Sequence, residues 1–368
     1  MASFSSLPRE LVEEICRLSL PAFFYETWDK RVETLKALLI VNKRIGATAR
    51  RLLLEYLVLK TPRAVEAFLA VHSHGQTGVR ELYLGSSPPT SDDGLYLDPS
   101  GAVTANEMDL EVLLRLLRPT TLALRNVYHI QPADVAQCSS LQALYINVGS
   151  IVHTSAHAMQ GVAFSDLKRL SLSQVNIPRP SIFFQRQNFP ALEAFSIAYC
   201  DQLCESAILD GATANGASLA LTRLTLPLIT HLDVLSTPSI TRDFEIISLR
   251  ILDTRFSVEV LDMLHCLPPT LRILRLDGPV GSAADLLAQL HTNLFSPRFR
   301  PKLTELHFVG WPLAAHETLL NSILVSDWAK RAEVKVFVVM EELQDCDEGD
   351  PSFWQFLDDA ERRLKELD

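Results

Sequence analysis

A six-residue apolar pattern recurs along most of this chain, and it constrains the fold more than any other feature of the sequence. Apolar residues occupy positions 1, 4 and 6 of each copy. The first residues of the clearest copies are Val79, Leu141, Leu167, Leu192, Leu221, Ile246, Leu271 and Leu303. Two weaker copies match at positions 4 and 6 alone, as Leu122 with Leu124 and as Val334 with Val336. Most copies begin 22–32 residues after the previous one, so one structural unit is predicted to recur.

Segments with the apolar spacing of a helix lie between several of these copies. They are residues 111–119, 257–269, 284–291 and 317–324. Each unit is therefore predicted to be a strand followed by a helix or an irregular return, and it buries its apolar face only by stacking on its neighbours. A period of roughly 20–29 residues is typical of leucine-rich repeats. The sequence predicts an α/β repeat fold, with a curved leucine-rich-repeat solenoid and a parallel sheet over residues 61–340.

Position 5 of each copy lies between the two buried positions and is predicted to face the other side of the sheet. Down the series it is Tyr83, Ala123, Tyr145, Ser171, Ser196, Thr225, Arg250, Arg275, His307 and Lys335. The last four are arginine, histidine and lysine residues, which are positively charged or become so on protonation. One interpretation is solvated strand surface. The other is a recognition patch for an acidic or phosphorylated segment, because guanidinium groups pair well with carboxylate and phosphate, with Trp311 as an apolar anchor.

The N-terminal stretch LPRELVEEICRLSLP predicts an amphipathic helix. Leu7, Leu11, Ile15 and Leu18 recur at steps of four, four and three, which places them on one helical face. Pro8 suits the first turn, where its missing N–H is not needed. Taken alone, this pattern is typical of a small helix that caps a larger domain.

Other segments carry a resemblance to a known family. Residues 192–200, LEAFSIAYC, match the LxxLxLxxC repeat that is common in F-box proteins. The N-terminus resembles an F-box, with LPRELVEEI at 7–15, TLKALLIVNKRIGATARRLL at 34–53 and EYLVLKTPRAVEAFLA at 55–70. The order of these segments over residues 5–340 is similar to fungal F-box proteins with leucine-rich repeats.

The resemblance implies a substrate-recognition subunit of a cullin–RING ubiquitin ligase of the SCF type. The F-box would bind the Skp-family adaptor, and through it the cullin, while the repeats would bind a protein target. The adaptor-binding residues implied are Leu7, Pro8, Leu11, Ile15, Leu18, Leu38 and Val41. The net charge of +3 over residues 1–60 would suit an acidic partner. The alternative is a non-catalytic interaction scaffold that does not bind the ligase.

Charge and cysteine usage narrow the functional classes. A formal net charge of −10 argues against general nucleic-acid binding, and no apolar run is long enough to span a bilayer. The six cysteines are scattered without a CxxC pair, as expected of reduced thiols in the cytoplasm or nucleus.

Residues 341–368 are predicted to be an acidic linker and a C-terminal capping helix, after an F-box-like helical module at 1–60 and the repeats at 61–340.

Sequence signatures of catalysis are missing. The chain has no GxxxxGK[ST], GxGxxG, GxSxG or HExxH motif. The pair His153 and His157 has the spacing of two metal ligands on a helix, but it lacks the glutamate base of a metalloprotease. No catalytic residue, metal or cofactor is therefore expected, and an enzyme that uses the repeat surface is disfavoured.

Overall fold

The computed structural model describes residues 7–20, 28–72, 78–86, 102–198, 223–226, 248–251, 272–277, 303–309, 329–331 and 333–339. These residues divide into two compact units. The first holds the described residues up to Ile130 together with Gln137–Gly149, and the second holds Gln131–Ala136 and the described residues from Ser150 onward. The predicted C-terminal segment 341–368 lies outside the described residues.

Three helices open the first unit. They are α1 (Arg9–Leu18), α2 (Trp28–Leu39) and α3 (Lys43–Glu55). Their shared core consists of Val12, Cys16, Leu20, Leu35, Ile45, Ala49 and Leu52. The side chain of Asn42 caps α3 by accepting hydrogen bonds from the backbone N–H groups of Arg44 and Ile45. Gly46 allows α3 to approach the end of α2, because a Cβ there would lie 2.6 Å from the carbonyl oxygen of Leu39.

Strands and two further helices follow among the described residues of the first unit. They are β1 (Tyr56–Leu59), α4 (Pro62–His72), β2 (Glu81–Gly85), β3 (Val103–Thr104), α5 (Leu110–Leu117), β4 (Thr121–Ile130) and β5 (Ala143–Ile151), of which β5 belongs to this unit up to Gly149. The strand order is β1-β2-β4-β5, and β3 pairs with β4. Helix α3 continues directly into β1, so the helices and the sheet are contiguous in the chain. The domain division at residue 60 stays a prediction.

The described residues of the second unit include seven parallel strands. Its elements are α6 (Pro132–Ala136), β6 (Arg169–Asn176), α7 (Pro180–Phe183), a 3₁₀ turn (Arg186–Asn188), β7 (Ala194–Ala198), β8 (Arg223–Leu226), β9 (Ser248–Ile251), β10 (Ile273–Asp277), β11 (Glu305–Val309) and β12 (Lys335–Val339). Strands β6 to β12 lie beside one another in chain order. Five phenylalanines pack together near β7: Phe164, Phe183, Phe184, Phe189 and Phe195.

The predicted α/β class with a parallel sheet is confirmed. The burial of the repeated apolar positions from Val79 to Leu306 is also confirmed wherever their side chains are described, whereas Val336 of the last copy is only partly buried. Position 4 is 0–2% exposed at Leu82, Leu122, Leu144, Leu170, Phe195, Leu274 and Leu306. Equivalent positions pair across strands, as Leu82 with Leu122 and Leu274 with Leu306. The copies of the sequence pattern therefore stand in register.

The predicted alignment of the last copy is wrong by two residues. Val336, not Val334, lies opposite Leu306, so Lys335 lies opposite Glu305 and Phe337 lies opposite His307. Valines recur at every second residue here, and a shift of two residues keeps them on the same face. Apolar alternation alone could not distinguish the two alignments, whereas strand pairing did.

From Tyr83 to His307, the described side chains at position 5 do not form a solvated surface, whereas Lys335 of the last copy is exposed. Ser171, Ser196 and His307 are 1%, 0% and 3% exposed, and Tyr83 is 2% exposed. A strand inside a sheet has neighbours about 4.8 Å away on both sides, and small side chains are shielded between them. His307 is large, but its ring is stacked on Phe337 with 4.6 Å between ring centroids.

Left-handed backbone recurs at one pattern position. Asn126, Val148 and Gln174 each lie two residues after position 6 and have φ values of 57°, 56° and 54°. This conformation is unfavourable for residues other than glycine, so the repeated geometry of the strands imposes it on three different residue types.

We expect Gln174→Gly to raise the free energy of unfolding by up to about 1.5 kcal/mol. The exposed Gln174 side chain contributes little packing, and glycine removes the left-handed penalty of roughly 1–2 kcal/mol while adding about 0.5–1 kcal/mol of chain entropy to the unfolded state. Chemical denaturation measures the change. The matched control is Asn176→Gly, also exposed and on β6 but outside the left-handed region, which should destabilise.

We expect Leu274→Ala to lower the free energy of unfolding by about 2–5 kcal/mol, because the side chain is fully buried and leaves a cavity. Arg272→Ala, at the exposed residue before β10, should change it by no more than about 0.5 kcal/mol. Urea unfolding of both variants is the measurement. Equal losses from the two substitutions would contradict the observed burial.

Candidate docking surface on the N-terminal helices

Helix α1 presents apolar side chains on two faces. Val12 and Cys16 are 1% and 2% exposed and belong to the core of the three helices. Leu11, Ile15 and Leu18, which recur at helical spacing, are 50%, 38% and 76% exposed. A helix with one apolar face buried usually carries polar residues opposite. The exposed row of leucine and isoleucine therefore marks a candidate interaction surface, which we call the α1 face.

The turn between α2 and α3 adds two exposed apolar residues. Ile40 and Val41 are 87% and 58% exposed and lie directly before the capping residue Asn42. Val41 is among the residues implied by the resemblance, whereas Ile40 is not. The feature of the sequence that could have identified Ile40 is a pair of apolar residues in a turn, where polar residues are more common.

The remaining residues implied by the resemblance lie in other environments. Leu7 and Leu38 are partly buried and pack against the core of the three helices. Pro8 is exposed at the start of α1, and its carbonyl oxygen accepts a hydrogen bond from the backbone N–H of Val12 at 3.2 Å. The structure thus gives Leu7 and Leu38 a supporting role and leaves the α1 face to Leu11, Ile15 and Leu18.

An ionic cluster fixes the orientation of α1 on α3. Arg17 donates to Glu13 at 3.1 Å and to Glu55 at 2.9 Å, and Arg51 also pairs with Glu13. Glu55, at the end of α3, is only 7% exposed. The cluster joins the two helices on a side of α1 away from Leu11, so it helps to hold the α1 face outward.

The opposite charges of this cluster keep one another ionised. The hydrogen bond from Arg51, aided by Arg17, holds the pKa of Glu13 below its ordinary value although burial acts in the opposite direction. Burial would lower the pKa of Arg17, but the hydrogen bond to Glu13 and the attraction of Glu55 outweigh it and raise that pKa. Both groups therefore stay ionised at neutral pH.

A buried cation lies where α2 meets the first strands. Arg31 of α2 is 6% exposed, and its guanidinium carbon lies 4.7 Å from the centre of the Tyr56 ring on β1. Burial lowers the pKa of Arg31, while Tyr56 and Glu81 act to raise it. This contact ties the three helices to the sheet of the same unit.

Glu13→Gln should reduce the free energy of unfolding at pH 7 by about 0.5–1 kcal/mol, the range of partly exposed ion pairs. The pKa of Glu13 is lower in the folded state than the unfolded value of 4.5, so its ionised form stabilises the fold at pH values above 4.5. This contribution is lost as the pH falls through the folded pKa. The difference from wild type should therefore vanish in strong acid. Denaturation at several pH values measures it, with Glu14→Gln at an exposed site of α1 as control.

The position-5 row of the second unit is the other predicted site. Arg250, Arg275 and His307 are register partners on β9, β10 and β11, as predicted. Lys335 is not in this row, which continues to Phe337 instead. The Nε2 atom of His307 lies 2.9 Å from a carboxylate oxygen of Glu305. Trp311 lies outside the described residues.

Metal-binding clusters are lacking in the part of the chain that the structure describes. No cluster of three or more His, Cys, Asp and Glu side chains there is arranged to hold a metal ion. Cys16 and Cys138 are buried free thiols, and burial raises the pKa of each. Among the described helices, none is both long enough and apolar enough to cross a bilayer.

Comparison with known proteins adds no family assignment. No protein-family model matches the chain, and no curated protein matches its sequence.

Proposed function

We propose that this chain is the substrate-recognition subunit of an SCF-type cullin–RING ubiquitin ligase. The helices α1 to α3 act as an F-box that binds the Skp-family adaptor and, through it, the cullin. The strands that follow belong to a leucine-rich-repeat solenoid that holds the target protein. The chain performs no chemistry itself, and it works in the cytoplasm or nucleus by bringing the target close to a ubiquitin-charged enzyme.

The observation that carries this proposal is the α1 face. Leu11, Ile15 and Leu18 remain exposed although the opposite side of the same helix is packed into a core. Burying such a side chain fully is worth roughly 1.5–3 kcal/mol, so a helix that exposes three of them favours a partner that covers them. A stable complex depends on a few apolar anchors of this kind.

The first unit supports the proposal through its rigidity. The Arg17 cluster fixes α1 to α3, and the Arg31–Tyr56 contact fixes α2 to β1. A docking face that is already held in place loses less conformational freedom when a partner binds, so these contacts favour a docking role.

Leu11→Asp should abolish co-purification of the adaptor with the chain. The charge would have to lose its water at the centre of an apolar interface, which costs several kcal/mol or about a hundredfold or more in affinity. Pull-down with the purified Skp-family adaptor is the measurement. Circular dichroism should be unchanged, because Leu11 is exposed in the free chain.

The matched control is Val112→Asp on α5. Val112 is 47% exposed and Leu11 is 50% exposed, so both variants place the same charge at a similarly exposed apolar site. Only Leu11→Asp should lose the adaptor. A folded wild-type chain that never binds the adaptor would instead support an interaction scaffold without ligase binding.

A further inference from the structure

The turn between α2 and α3 carries the most exposed large apolar side chain of the described residues, that of Ile40. Val41 beside it is also exposed, and the two residues directly follow Leu39, the last residue of α2. The turn is only three residues long, so both side chains lie at the tip of a helix pair. The stability of the chain alone does not explain two adjacent apolar side chains at this position.

Backbone hydrogen bonds hold this turn in place. The N–H of Ile40 donates to the carbonyl oxygen of Ala37 at 3.4 Å, and the N–H of Val41 donates to that of Leu38 at 3.3 Å. Asn42, the next residue, caps α3. Ile40 and Val41 are therefore presented in a fixed position, and little conformational freedom is lost when a partner binds them.

All charged residues along the chain on both sides of this turn are basic. Between Glu33 and Glu55 the sequence holds five Lys or Arg residues and no Asp or Glu. Lys36 lies one helical turn before Ile40, and Lys43 is the first residue of α3. Both lysines are exposed, and neither forms an ion pair with any residue that the structure describes. An exposed apolar pair is thus flanked by two positive charges that lack a partner among the described residues.

The α1 face differs from this turn in its charges. On α1 the exposed acidic residues Glu10 and Glu14 outnumber the exposed arginine Arg9. An anionic surface would be repelled by α1, whereas the basic flanks of the α2–α3 turn attract it. The two apolar surfaces of the three helices therefore suit partners of different charge.

We propose that the α2–α3 tip, which consists of Lys36, Ile40, Val41 and Lys43, binds peripherally to a membrane surface that contains anionic phospholipid. The two apolar side chains enter the boundary between headgroups and acyl chains. The lysine stems lie along this boundary and hold their ammonium groups among the anionic headgroups. The proposal goes beyond the proposed ligase function and does not depend on it.

A lipid surface suits the tip better than an acidic protein does. A protein would need a groove shaped to two adjacent side chains, whereas a bilayer interface adapts to them. The chain's net charge of −10 does not prevent the contact, because charges more than about 10 Å away are largely screened at roughly 0.1 M salt. Two apolar side chains and two lysines give weak, reversible attachment, since stable anchoring needs a larger apolar group.

The test is co-sedimentation of the full chain with vesicles made of equimolar phosphatidylserine and phosphatidylcholine. We expect binding that weakens as salt rises and that is at least about tenfold weaker with phosphatidylcholine alone. The double variant Lys36→Gln with Lys43→Gln should bind about tenfold or more weakly than wild type. The matched control, Lys330→Gln with Lys335→Gln, removes two exposed lysines outside the tip and should bind as wild type does.

A second variant tests the apolar part of the tip. Ile40→Asp should weaken vesicle binding by about tenfold or more, because the new charge would be desolvated and repelled at the anionic surface. Val71→Asp on α4 is the matched control, since Val71 is also a highly exposed apolar residue, and it should bind as wild type does. Circular dichroism should be unchanged in both variants, because both side chains are exposed in the free chain.

Soluble headgroup distinguishes a lipid surface from a pocket for a single phosphate. Glycerophosphoserine should not displace the chain from vesicles, because it offers no apolar layer to Ile40 and Val41. Complete displacement would overturn the proposed insertion. Equal binding to vesicles of phosphatidylcholine alone, or binding that the lysine and Ile40 substitutions leave unchanged, would overturn the proposal as a whole.

The same variants separate this proposal from the proposed ligase function. Leu11→Asp should lose the adaptor and keep the vesicles, whereas Lys36→Gln with Lys43→Gln should lose the vesicles and keep the adaptor. Vesicle binding without any adaptor binding would support the lipid site and reject the ligase function. A wild-type chain that ignores vesicles but loses the adaptor on Ile40→Asp would assign the tip to the adaptor and reject the lipid site.

Discussion

Backbone pairing between parallel strands of the same register is the constraint on which the described fold depends. In the second unit, strands β6 to β12 follow one another in chain order, and from β6 to β11 each residue at position 4 lies opposite its equivalent on the next strand. A strand of four or five residues buries too little apolar surface to be stable alone. Alignment makes a continuous apolar layer from residues far apart in sequence, such as Leu274 and Leu306.

The same alignment decides which polar residues become neighbours. Arg250 and Arg275 are separated by one repeat in the chain, yet register places them on adjacent strands of one face. His307 takes the next place and pairs with Glu305 two residues earlier on its own strand. The composition of such a row is therefore a consequence of the register that builds the core, and a two-residue shift exchanged Lys335 for Phe337.

Packing in the N-terminal helices follows a different principle. On one side of helix α1, Val12 and Cys16 are part of a core, and on a second side Arg17 attaches the helix to α3. The remaining apolar residues, Leu11, Ile15 and Leu18, stay exposed. An apolar row that remains outside a completed core is difficult to explain by the stability of the chain alone. The proposed docking partner accounts for it, and the ionic contacts to α3 explain how α1 keeps its orientation before docking.

The sequence by itself determined the local periodicities. It predicted the strands, their parallel arrangement, the buried positions and the apolar row of α1, because each depends on spacing within a few residues. Only the tertiary structure decided the alignment of the last strand, the burial of Ser171, Ser196 and His307, and the joining of Glu13, Arg17, Arg51 and Glu55 into one cluster. These depend on hydrogen bonds and contacts between residues distant in sequence. A period of two tells which face a residue occupies, but it does not tell which neighbour stands beside it or what covers it.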